Sequence, residues 1–333
     1  MKIDAFDVER WMDRYELQAK YNLGETCVAS ITIEELLEIA GKSKESLLAE
    51  LLPMRMTYGA IKGSSHLRAG IARLYSNQTE DNILVTHGTI GANSLVYETI
   101  VCPGDHVIAV LPTYQQHQSI PKCYGAEVEF LHLRPENLFL PDLAELERKL
   151  RPNTKLIALN NPNNPTGSLM DEAFLRRIVD IAKKSGAYIL CDEVYRGLND
   201  VDQGTGFKKS FTTSIVDLYD KGISTASMSK TFSLAGLRLG WIASNLPEFL
   251  DSVVMHRDYN TISVGMLDDY FAAMALDAVD KVMARSLELT RKHRAILDEW
   301  VRQEPSVSYL RPAAARRPSS SSLSAASTRG ISA

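Results

Sequence analysis

The stretch Ser227-Met228-Ser229-Lys230-Thr231-Phe232-Ser233-Leu234-Ala235-Gly236-Leu237-Arg238-Leu239-Gly240 decides how the rest of the chain is interpreted. It places Lys230 among small hydroxyl residues, directly after a run at 222–226 that is typical of a buried strand. A second cation, Arg238, follows eight residues later. Burial among apolar neighbours lowers the pKa of an amine and frees its lone pair, so such a lysine can form an imine with an aldehyde. The ordinary alternative is a solvated lysine in a turn.

Length and composition describe an ordinary globular protein. The 333 residues suffice for one large domain and a smaller one, with 45% hydrophobic and 23% charged residues. A net charge of −4 gives no reason to expect nucleic acid or a membrane surface as partner. No apolar run approaches the roughly 20 residues that span a bilayer. We therefore expect neither nucleic acid nor membrane among the partners.

The cysteines, the histidines and residues 1–7 indicate in which cellular compartment the protein works and whether it binds a metal. Residues 1–7 lack an apolar signal core. The four cysteines are far apart and form no CxxC pair, which favours reduced thiols and a cytoplasmic protein. The seven histidines show no metal-ligand spacing, so we expect no metal site.

Three strand ends carry polar motifs. The apolar strand 82–86 runs into His87-Gly88-Thr89-Ile90-Gly91-Ala92-Asn93, where a helix begins, and a helix N-terminus after a glycine turn presents free N–H groups to an anion. The strand 155–159 leads to the rigid loop Asn160-Asn161-Pro162-Asn163-Asn164-Pro165-Thr166-Gly167. Ligands of α/β sheets bind at such carboxyl ends.

The third strand end carries a carboxylate. Residues 171–184 form an apolar helical stripe that Gly186 ends, and the strand 187–191 follows, with Asp192 at its end. A carboxylate at the end of an apolar strand is costly unless a cation meets it. The alternative for Asp192 is a helix cap.

These motifs resemble, in the same order along residues 58–263, those of the fold-type I, pyridoxal-phosphate-dependent aminotransferases of class I/II. The 14 residues quoted above resemble that family's lysine segment, and the 160–167 loop resembles its NPxNPTG signature. The resemblance implies an α/β fold: a three-layer α/β/α large domain with a mainly parallel sheet, plus a small domain. It also implies pyridoxal 5′-phosphate as cofactor.

The resemblance implies a role for each matching residue around the phosphate. The set is Gly88, Thr89, Ile90, Ser227, Ser229 and Arg238. Apolar Ile90 can contribute only its backbone N–H, whereas Arg238 would be a fixed charge partner. Tyr58 matches a tyrosine that reaches into the neighbouring subunit to touch the phosphate; otherwise it is a packed surface tyrosine.

Around the pyridine ring the resemblance implies five further roles. Lys230 holds the cofactor as an imine, and Tyr114 stacks on the ring; a tyrosine at the edge of the core is the alternative for Tyr114. Asn164 and Tyr195 hydrogen-bond the 3′-oxygen. Asp192 keeps the pyridine nitrogen protonated, so that the ring withdraws electrons.

The same resemblance divides the chain. Residues 1–52 form an N-terminal helical segment of the small domain, with helices at 4–21, 33–40 and 44–52. Residues 53–260 form the cofactor-binding large domain. Residues 261–310 provide linking helices, within a long helical stretch 266–303, and the start of the small domain, with a strand near 307–310.

The last residues depart from the family pattern. Residues 313–333 contain seven Ser, six Ala, three Arg and no acid, a composition that cannot build a core and predicts disorder for 311–333. The family's arginine that pairs with the substrate α-carboxylate has no match here, so the small domain is expected to be incomplete. We hypothesise a frameshift or gene-model error; an intact transcript across Leu310 encoding these same 23 residues would refute it.

The function implied is transamination between an amino acid and a 2-keto acid by a homodimer with shared active sites. Lys230 and Asp192, with Tyr195, would be the catalytic residues, and Lys230 would move the α-proton as general base and then acid. One alternative is lyase, cyclase or oxidase chemistry on an amino acid. The other is a chain that binds the cofactor or a partner without catalysis. Hydride transfer is disfavoured because no GxGxxG follows a strand, and serine hydrolysis because GxSxG is absent.

Overall fold

A computed structural model describes residues 3–22, 24–199, 210–311 and 324–325 of the chain. Its main strands are β1 (Ile83–Thr86), β2 (His106–Leu111), β3 (Glu127–His132), β4 (Thr154–Asn160), β5 (Tyr188–Asp192), β6 (Gly222–Ser227) and β7 (Gly240–Ser244). They form one sheet in the order β1-β7-β6-β5-β4-β2-β3. Strand β7 runs antiparallel to both of its neighbours, β1 and β6, and the other neighbouring strands in this sheet are parallel. The predicted mainly parallel sheet is confirmed.

The helices surround this sheet. They are α1 (Asp7–Tyr15), α2 (Ile33–Ala40), α3 (Lys44–Leu51), α4 (Ser65–Ala72), α5 (Gly88–Ile100), α6 (Gln116–Cys123), α7 (Leu143–Lys149), α8 (Glu172–Lys183), α9 (Pro247–Asp258), α10 (Met266–Asp277) and α11 (Val279–Gln303). The predicted helix at 171–184 agrees with α8 to within one residue at each end. The Asp171 side chain accepts a hydrogen bond from the Phe174 N–H, which defines where α8 begins.

Two apolar clusters, one on each face of the sheet, form the core. Successive side chains of a strand point to opposite faces, so Leu84 packs in one cluster and its neighbours Ile83 and Val85 in the other. Leu95 of α5 and Val253 of α9 belong to the first cluster. Helices α4, α8 and α10 contribute to the second. The sheet therefore lies between two helical layers, and the predicted α/β/α architecture is confirmed.

Strand register brings the polar strand ends together. Asn160 at the end of β4 pairs with Asp192 at the end of β5, and Asp192 pairs with Thr225 of β6. Because β4, β5 and β6 run parallel, their carboxyl ends meet at one edge of the sheet. The segments that follow these strands, including the one that carries Lys230, therefore start side by side.

Some predicted elements differ from the structure. The helix expected at 4–21 ends at Tyr15, and α1 buries none of its residues, so little packing energy favours its extension. The helical stretch expected at 266–303 is broken at Ala278, whose φ of −105° and ψ of 26° leave the helical region. The strand expected near 307–310 is the two-residue strand β8 (Val307–Ser308).

A short antiparallel strand pair lies near the C-terminus. Strand β8 pairs antiparallel with β9 (Ser324–Ala325). Apart from Arg311 and these two residues, the tail predicted to be disordered lies outside the described residues. The division into 1–52, 53–260 and 261–310 stays a prediction. Within the described ranges, no helix combines the length and apolarity that crossing a membrane requires.

Candidate active site

A cavity of about 1770 Å³ lies where the carboxyl ends of β4, β5 and β6 meet the start of α5 and the N-terminal segment. All the predicted site residues line it except Tyr58 and Gly88. The lining members are Thr89, Ile90, Tyr114, Asn164, Asp192, Tyr195, Ser227, Ser229, Lys230 and Arg238. The structure thus brings together side chains that are up to 149 positions apart in the chain, from Thr89 to Arg238.

Gly88 and Tyr58 differ in how they relate to the cavity. Gly88 opens α5 with φ 65°, and a Cβ at this position would lie 3.1 Å from Nη2 of Arg238. The Gly88 backbone therefore lies directly beside the guanidinium. Tyr58 is 76% exposed, precedes α4 and does not line the cavity. Its predicted contact with the cofactor phosphate of a neighbouring subunit stays a prediction.

One end of the cavity is built to bind an anion. The 13-residue helix α5 directs its first N–H groups and its positive dipole end there. Thr89 Oγ1 is buried and has no hydrogen-bond partner among the described residues. Ser227 and Ser229 are also buried at this wall, and Arg238 adds a guanidinium that donates one hydrogen bond, 2.9 Å, to the Ala235 carbonyl. Unused hydroxyl and amide donors beside a guanidinium fit a phosphate group.

A carboxylate marks another wall of the cavity. Asp192 is 4% exposed. Its Oδ1 accepts a hydrogen bond from the Val194 N–H at 3.1 Å, and its Oδ2 accepts one from Nδ2 of Asn93 at 3.0 Å and lies 3.4 Å from Nε2 of His117. Nδ1 of His117 lies 2.8 Å from the Tyr97 hydroxyl. Tyr97 donating to Nδ1 leaves Nε2 as the donor to Asp192, so a buried network fixes the carboxylate.

Sequence reasoning missed the residues that hold Asp192. Asn93 lies on the buried side of α5, and Thr225 donates a hydrogen bond of 2.6 Å to its Oδ1. His117 lies in α6 within a run of glutamines that gives no signal of a site. Asn93 lies one helical turn after Thr89, on a helix whose N-terminus is predicted to bind an anion. This position was the one sequence feature that could have indicated that Asn93 belongs to the site.

Lys230 contacts the N-terminal segment. Its Nζ donates hydrogen bonds to Thr26 Oγ1 at 2.9 Å and to Cys27 Sγ at 3.0 Å, and lies 3.9 Å from Glu25 Oε1. The Tyr195 hydroxyl also donates to Thr26 Oγ1, at 3.0 Å. The family resemblance implies that this N-terminal segment lies over the substrate site, but no sequence pattern indicates whether Glu25 or Thr26 makes a contact there.

The pKa of Lys230 corrects one expectation. Burial lowers the pKa of its amine, but the electrostatic field of Tyr195, the field and hydrogen bond of Cys27 and the field of Glu25 outweigh burial. The pKa of Lys230 in the cofactor-free chain is therefore raised, and the expectation of a lowered value is wrong. Burial would raise the pKa of Glu25, but the hydrogen bonds from Cys27 and Thr26 and the field of Lys230 lower it.

Tyr114 and Asn164 complete the lining. Tyr114 donates a hydrogen bond of 2.5 Å to Oε1 of Glu9, and burial, followed by this contact, raises the pKa of the Tyr114 hydroxyl. The Phe6 ring lies 4.8 Å from the Tyr114 ring, centroid to centroid. The Asn164 N–H donates a hydrogen bond of 2.5 Å to Oδ1 of Asn160, which fixes the loop at the end of β4. Glu9 of α1, together with Phe6 directly before this helix, thus covers one side of the cavity.

The site fits one kind of ligand. It offers an amine for an aldehyde, hydroxyl, amide and guanidinium donors for a phosphate, a buried carboxylate for a cationic ring nitrogen, and an aromatic ring for stacking. Fold and site together define a pyridoxal-phosphate-type α/β enzyme. Among the described residues no group of three or more His, Cys, Asp or Glu side chains is arranged to hold a metal ion.

Comparison with known proteins gives the family. The model of the family "Aminotransferase class I and II" matches residues 23–314. A crystal structure of a PLP-dependent aminotransferase from Streptococcus suis superposes with a TM-score of 0.89 at 42% identity, covering 94% of this chain and 81% of that one. A capreomycidine synthase from Streptomyces vinaceus is 30% identical over 90% of this chain and 74% of its own length. An aspartate aminotransferase from Pyrococcus horikoshii is 34% identical over 49% of this chain and 40% of its own length. The chain belongs to the class I and II aminotransferase family.

Proposed function

We propose that this chain is a pyridoxal-phosphate-dependent transaminase that moves an amino group between an amino acid and a 2-keto acid. The observation that carries the proposal is one cavity lined by the Lys230 amine, the Asp192 carboxylate and the Arg238 guanidinium. An amine, an acid and a phosphate-binding cation match the aldehyde, ring nitrogen and phosphate of the cofactor. The family and the aminotransferase relatives support the same reading.

The residues that would hold the cofactor follow from the lining. Its phosphate would take the N–H groups that begin α5 together with the side chains of Thr89, Ser227, Ser229 and Arg238. Its ring would lie against Tyr114, with the nitrogen at Asp192 and the 3′-oxygen near Asn164 and Tyr195. When bound, pyridoxal phosphate withdraws electrons from the substrate α-carbon and makes its hydrogen acidic.

The side chains of this protein would then move the proton. Lys230, freed by the incoming substrate amine, would take the α-proton on Nζ and later return it as an acid. Asp192, fixed by Asn93 and His117, would keep a negative charge at the ring nitrogen throughout. Helix α1 and the segment 24–27 line the cavity and would limit water access during the reaction.

We further propose that the enzyme works as a cytoplasmic homodimer. Tyr58 would then reach a neighbouring subunit, a role that its 76% exposure permits. Cys27, Cys102 and Cys191 form no disulfide in the part of the chain that the structure describes, as expected for a reducing compartment. Amino acids and 2-keto acids would be the substrates.

A second candidate function has a specific observation in its favour. The relative named as a capreomycidine synthase aligns along 90% of this chain, farther than the aspartate aminotransferase described above. Cyclase, lyase or oxidase chemistry on an amino acid uses the same cofactor and the same proton transfer. It would differ in the fate of the substrate after the α-proton has left.

The test is a product analysis with purified, cofactor-loaded chain. Each of the twenty standard L-amino acids is incubated with pyruvate or 2-oxoglutarate, and product keto acids are measured by mass spectrometry. We expect keto-acid-dependent formation of the donor's keto acid. Formation of ammonia, peroxide or a cyclised product without a 2-keto acid acceptor would refute transamination and favour the second candidate function. Cofactor binding without turnover of any amino acid would refute both.

A further inference from the structure

The segment Glu25, Thr26 and Cys27, here called the 25–27 strap, is followed by residues that are anchored to the Lys230 loop and to α11. Just beyond the strap, the Ile31 N–H donates a hydrogen bond of 2.9 Å to the Ser233 carbonyl of the lysine loop. Nη1 of Arg285, on α11, donates one of 2.9 Å to the Ala29 carbonyl. These two hydrogen bonds fix the chain directly after the strap, within a few residues of the groups that face Lys230.

The strap is also ordered internally. Oε1 of Glu25 accepts hydrogen bonds from the backbone N–H groups of Thr26 and Cys27, both at 2.8 Å. This fixes the carboxylate at the start of the strap and turns the next two side chains toward the cavity, where all three residues are part of the wall. The strap therefore presents a carboxylate, a hydroxyl and a thiol in a fixed arrangement.

All three groups of the strap face Nζ of Lys230. Thr26 Oγ1 at 2.9 Å and Cys27 Sγ at 3.0 Å accept two of the three N–H bonds of an ammonium, and the Glu25 carboxylate at 3.9 Å adds a negative charge. An oxygen acceptor, a sulfur acceptor and a carboxylate favour the protonated amine over the neutral one. Tyr195 supports the arrangement by donating to the same Thr26 oxygen.

We propose that the 25–27 strap is a positioning element that receives and holds the Lys230 ammonium after the lysine has taken a proton from the substrate. In that step the substrate Cα–H bond breaks, its electron pair stays with the substrate, and the proton forms the third N–H bond of the ammonium. The inference rests on the proposed function for the step itself, but the preference of the strap for the ammonium is a property of the cofactor-free chain.

Other titratable groups share the cavity with Lys230. Tyr195, from the loop after β5, faces the amine, and Asp192, Tyr114 and Arg238 line the same cavity. Substitutions of the strap leave these groups in place. A change in proton affinity confined to strap variants therefore reports on the strap.

The first test measures the protonation of Lys230 in the cofactor-free chain. Trace acetylation with acetic anhydride is followed across pH by peptide mass spectrometry, with the exposed Lys183 as internal standard. Thr26→Val keeps the shape of threonine and removes the hydroxyl, while Thr26→Ser restores it; Cys27→Ala and Cys27→Ser form the second pair. Cys102→Ser, at an exposed cysteine, is the control for loss of a thiol.

We expect the valine and alanine variants to shift the labelling profile of Lys230 toward lower pH, because the ammonium loses an acceptor. At pH 8 their labelling should rise about threefold or more, since labelling of a minor neutral form changes tenfold per pKa unit. Thr26→Ser and Cys102→Ser should follow the wild type. Profiles of Thr26→Val and Cys27→Ala that both superpose on the wild type would overturn the proposal.

The second measurement needs no folded variant. o-Phthalaldehyde joins one amine and one thiol in a fluorescent isoindole with loss of two waters, and requires the two groups to be in contact. We expect a crosslink between Lys230 and Cys27 in the wild type; failure to form it would also overturn the proposal. A different result would show that the proposed function is wrong. Borohydride reduction in the presence of the cofactor would then leave no adduct on Lys230, although the labelling profile and the crosslink are as expected.

Discussion

Replacing Asp192 by asparagine tests the buried carboxylate at the centre of the proposed chemistry. The two carboxyl oxygens face donors on both sides: the Val194 N–H at 3.1 Å from Oδ1, and Nδ2 of Asn93 and Nε2 of His117 at 3.0 and 3.4 Å from Oδ2. An amide has one acceptor and one NH₂ donor group. Either orientation of the asparagine side chain therefore points its NH₂ at another donor.

Asp192→Asn should moderately lower the free energy of unfolding. One buried donor left without an acceptor costs about 1–3 kcal/mol. A change of tautomer at His117 can relieve the contact with its Nε2 but not the one with Asn93. We therefore expect the cofactor-free Asp192→Asn chain to fold with a lower thermal midpoint. Asp105→Asn, in a turn where the carboxylate accepts the Cys102 N–H, is the matched control for a general Asp→Asn effect.

The effect on catalysis is much larger. At about 4 Å and an effective dielectric constant of 20, a pair of unit charges interacts by about 4 kcal/mol. Asp192 is 4% exposed, so solvent screens such a pair little. Losing the negative charge beside a cationic ring nitrogen should slow removal of the α-proton on the order of a thousandfold. Binding of the cofactor through Lys230 should persist, because the lysine and the phosphate-binding groups are unchanged.

The assay is α-hydrogen exchange in D₂O, followed by NMR with the standard amino acid that the wild type exchanges fastest. It reads proton removal directly and does not depend on whether the later step is transfer or cyclisation. Asp105→Asn should exchange at the wild-type rate. An Asp192→Asn variant that carries the cofactor on Lys230 and exchanges as fast as the wild type would refute the assigned role of the carboxylate.

Three further outcomes follow from the geometry. Arg238→Gln should weaken binding of pyridoxal phosphate about 10- to 100-fold, as expected for lost charged hydrogen bonds, and leave that of unphosphorylated pyridoxal unchanged in equilibrium dialysis. Gly240→Ala should lower the free energy of unfolding in urea by about 3 kcal/mol. The new Cβ at position 240 would lie 2.4 Å from the Gly88 carbonyl carbon and 2.7 Å from the Ala226 oxygen. An unfolding midpoint equal to that of the wild type would show that this contact is not rigid. The folded-state pKa of Glu25 is lowered, so the ionised carboxylate stabilises the fold above its ordinary pKa, and this stabilisation is lost as pH falls through the folded-state pKa. The difference in unfolding free energy between wild type and Glu25→Gln should therefore shrink on acidification below about pH 4. A difference that does not depend on pH would contradict this prediction.

The sequence predicted the sheet and the polar residues at its carboxyl ends well. Strand and helix boundaries such as those of α2 and α8 follow from apolar periodicity and local caps, which are short-range properties. The NPxNPTG loop, the lysine segment and the strand end at Asp192 carry their signal in consecutive residues. Parallel strand order then brings these segments to one edge of the sheet.

Contacts between distant segments could not be predicted. His117 touches Asp192 across 75 positions, and Thr26 touches Lys230 across 204, so no local pattern announces either pair. The raised pKa of Lys230 depends on the same long-range contacts, and burial alone gave the wrong direction. The early end of α1 has a related cause, since a helix without a buried face gains little from tertiary packing.

The central claim is that one covalent bond joins Lys230 to a pyridoxal phosphate held in this cavity. Borohydride reduction of the cofactor-loaded chain, followed by digestion and mass spectrometry, locates that bond directly. We expect the phosphopyridoxyl mass on the peptide that contains Lys230, and its loss in Lys230→Ala. A stable adduct on another lysine, or none at saturating cofactor, would contradict the account.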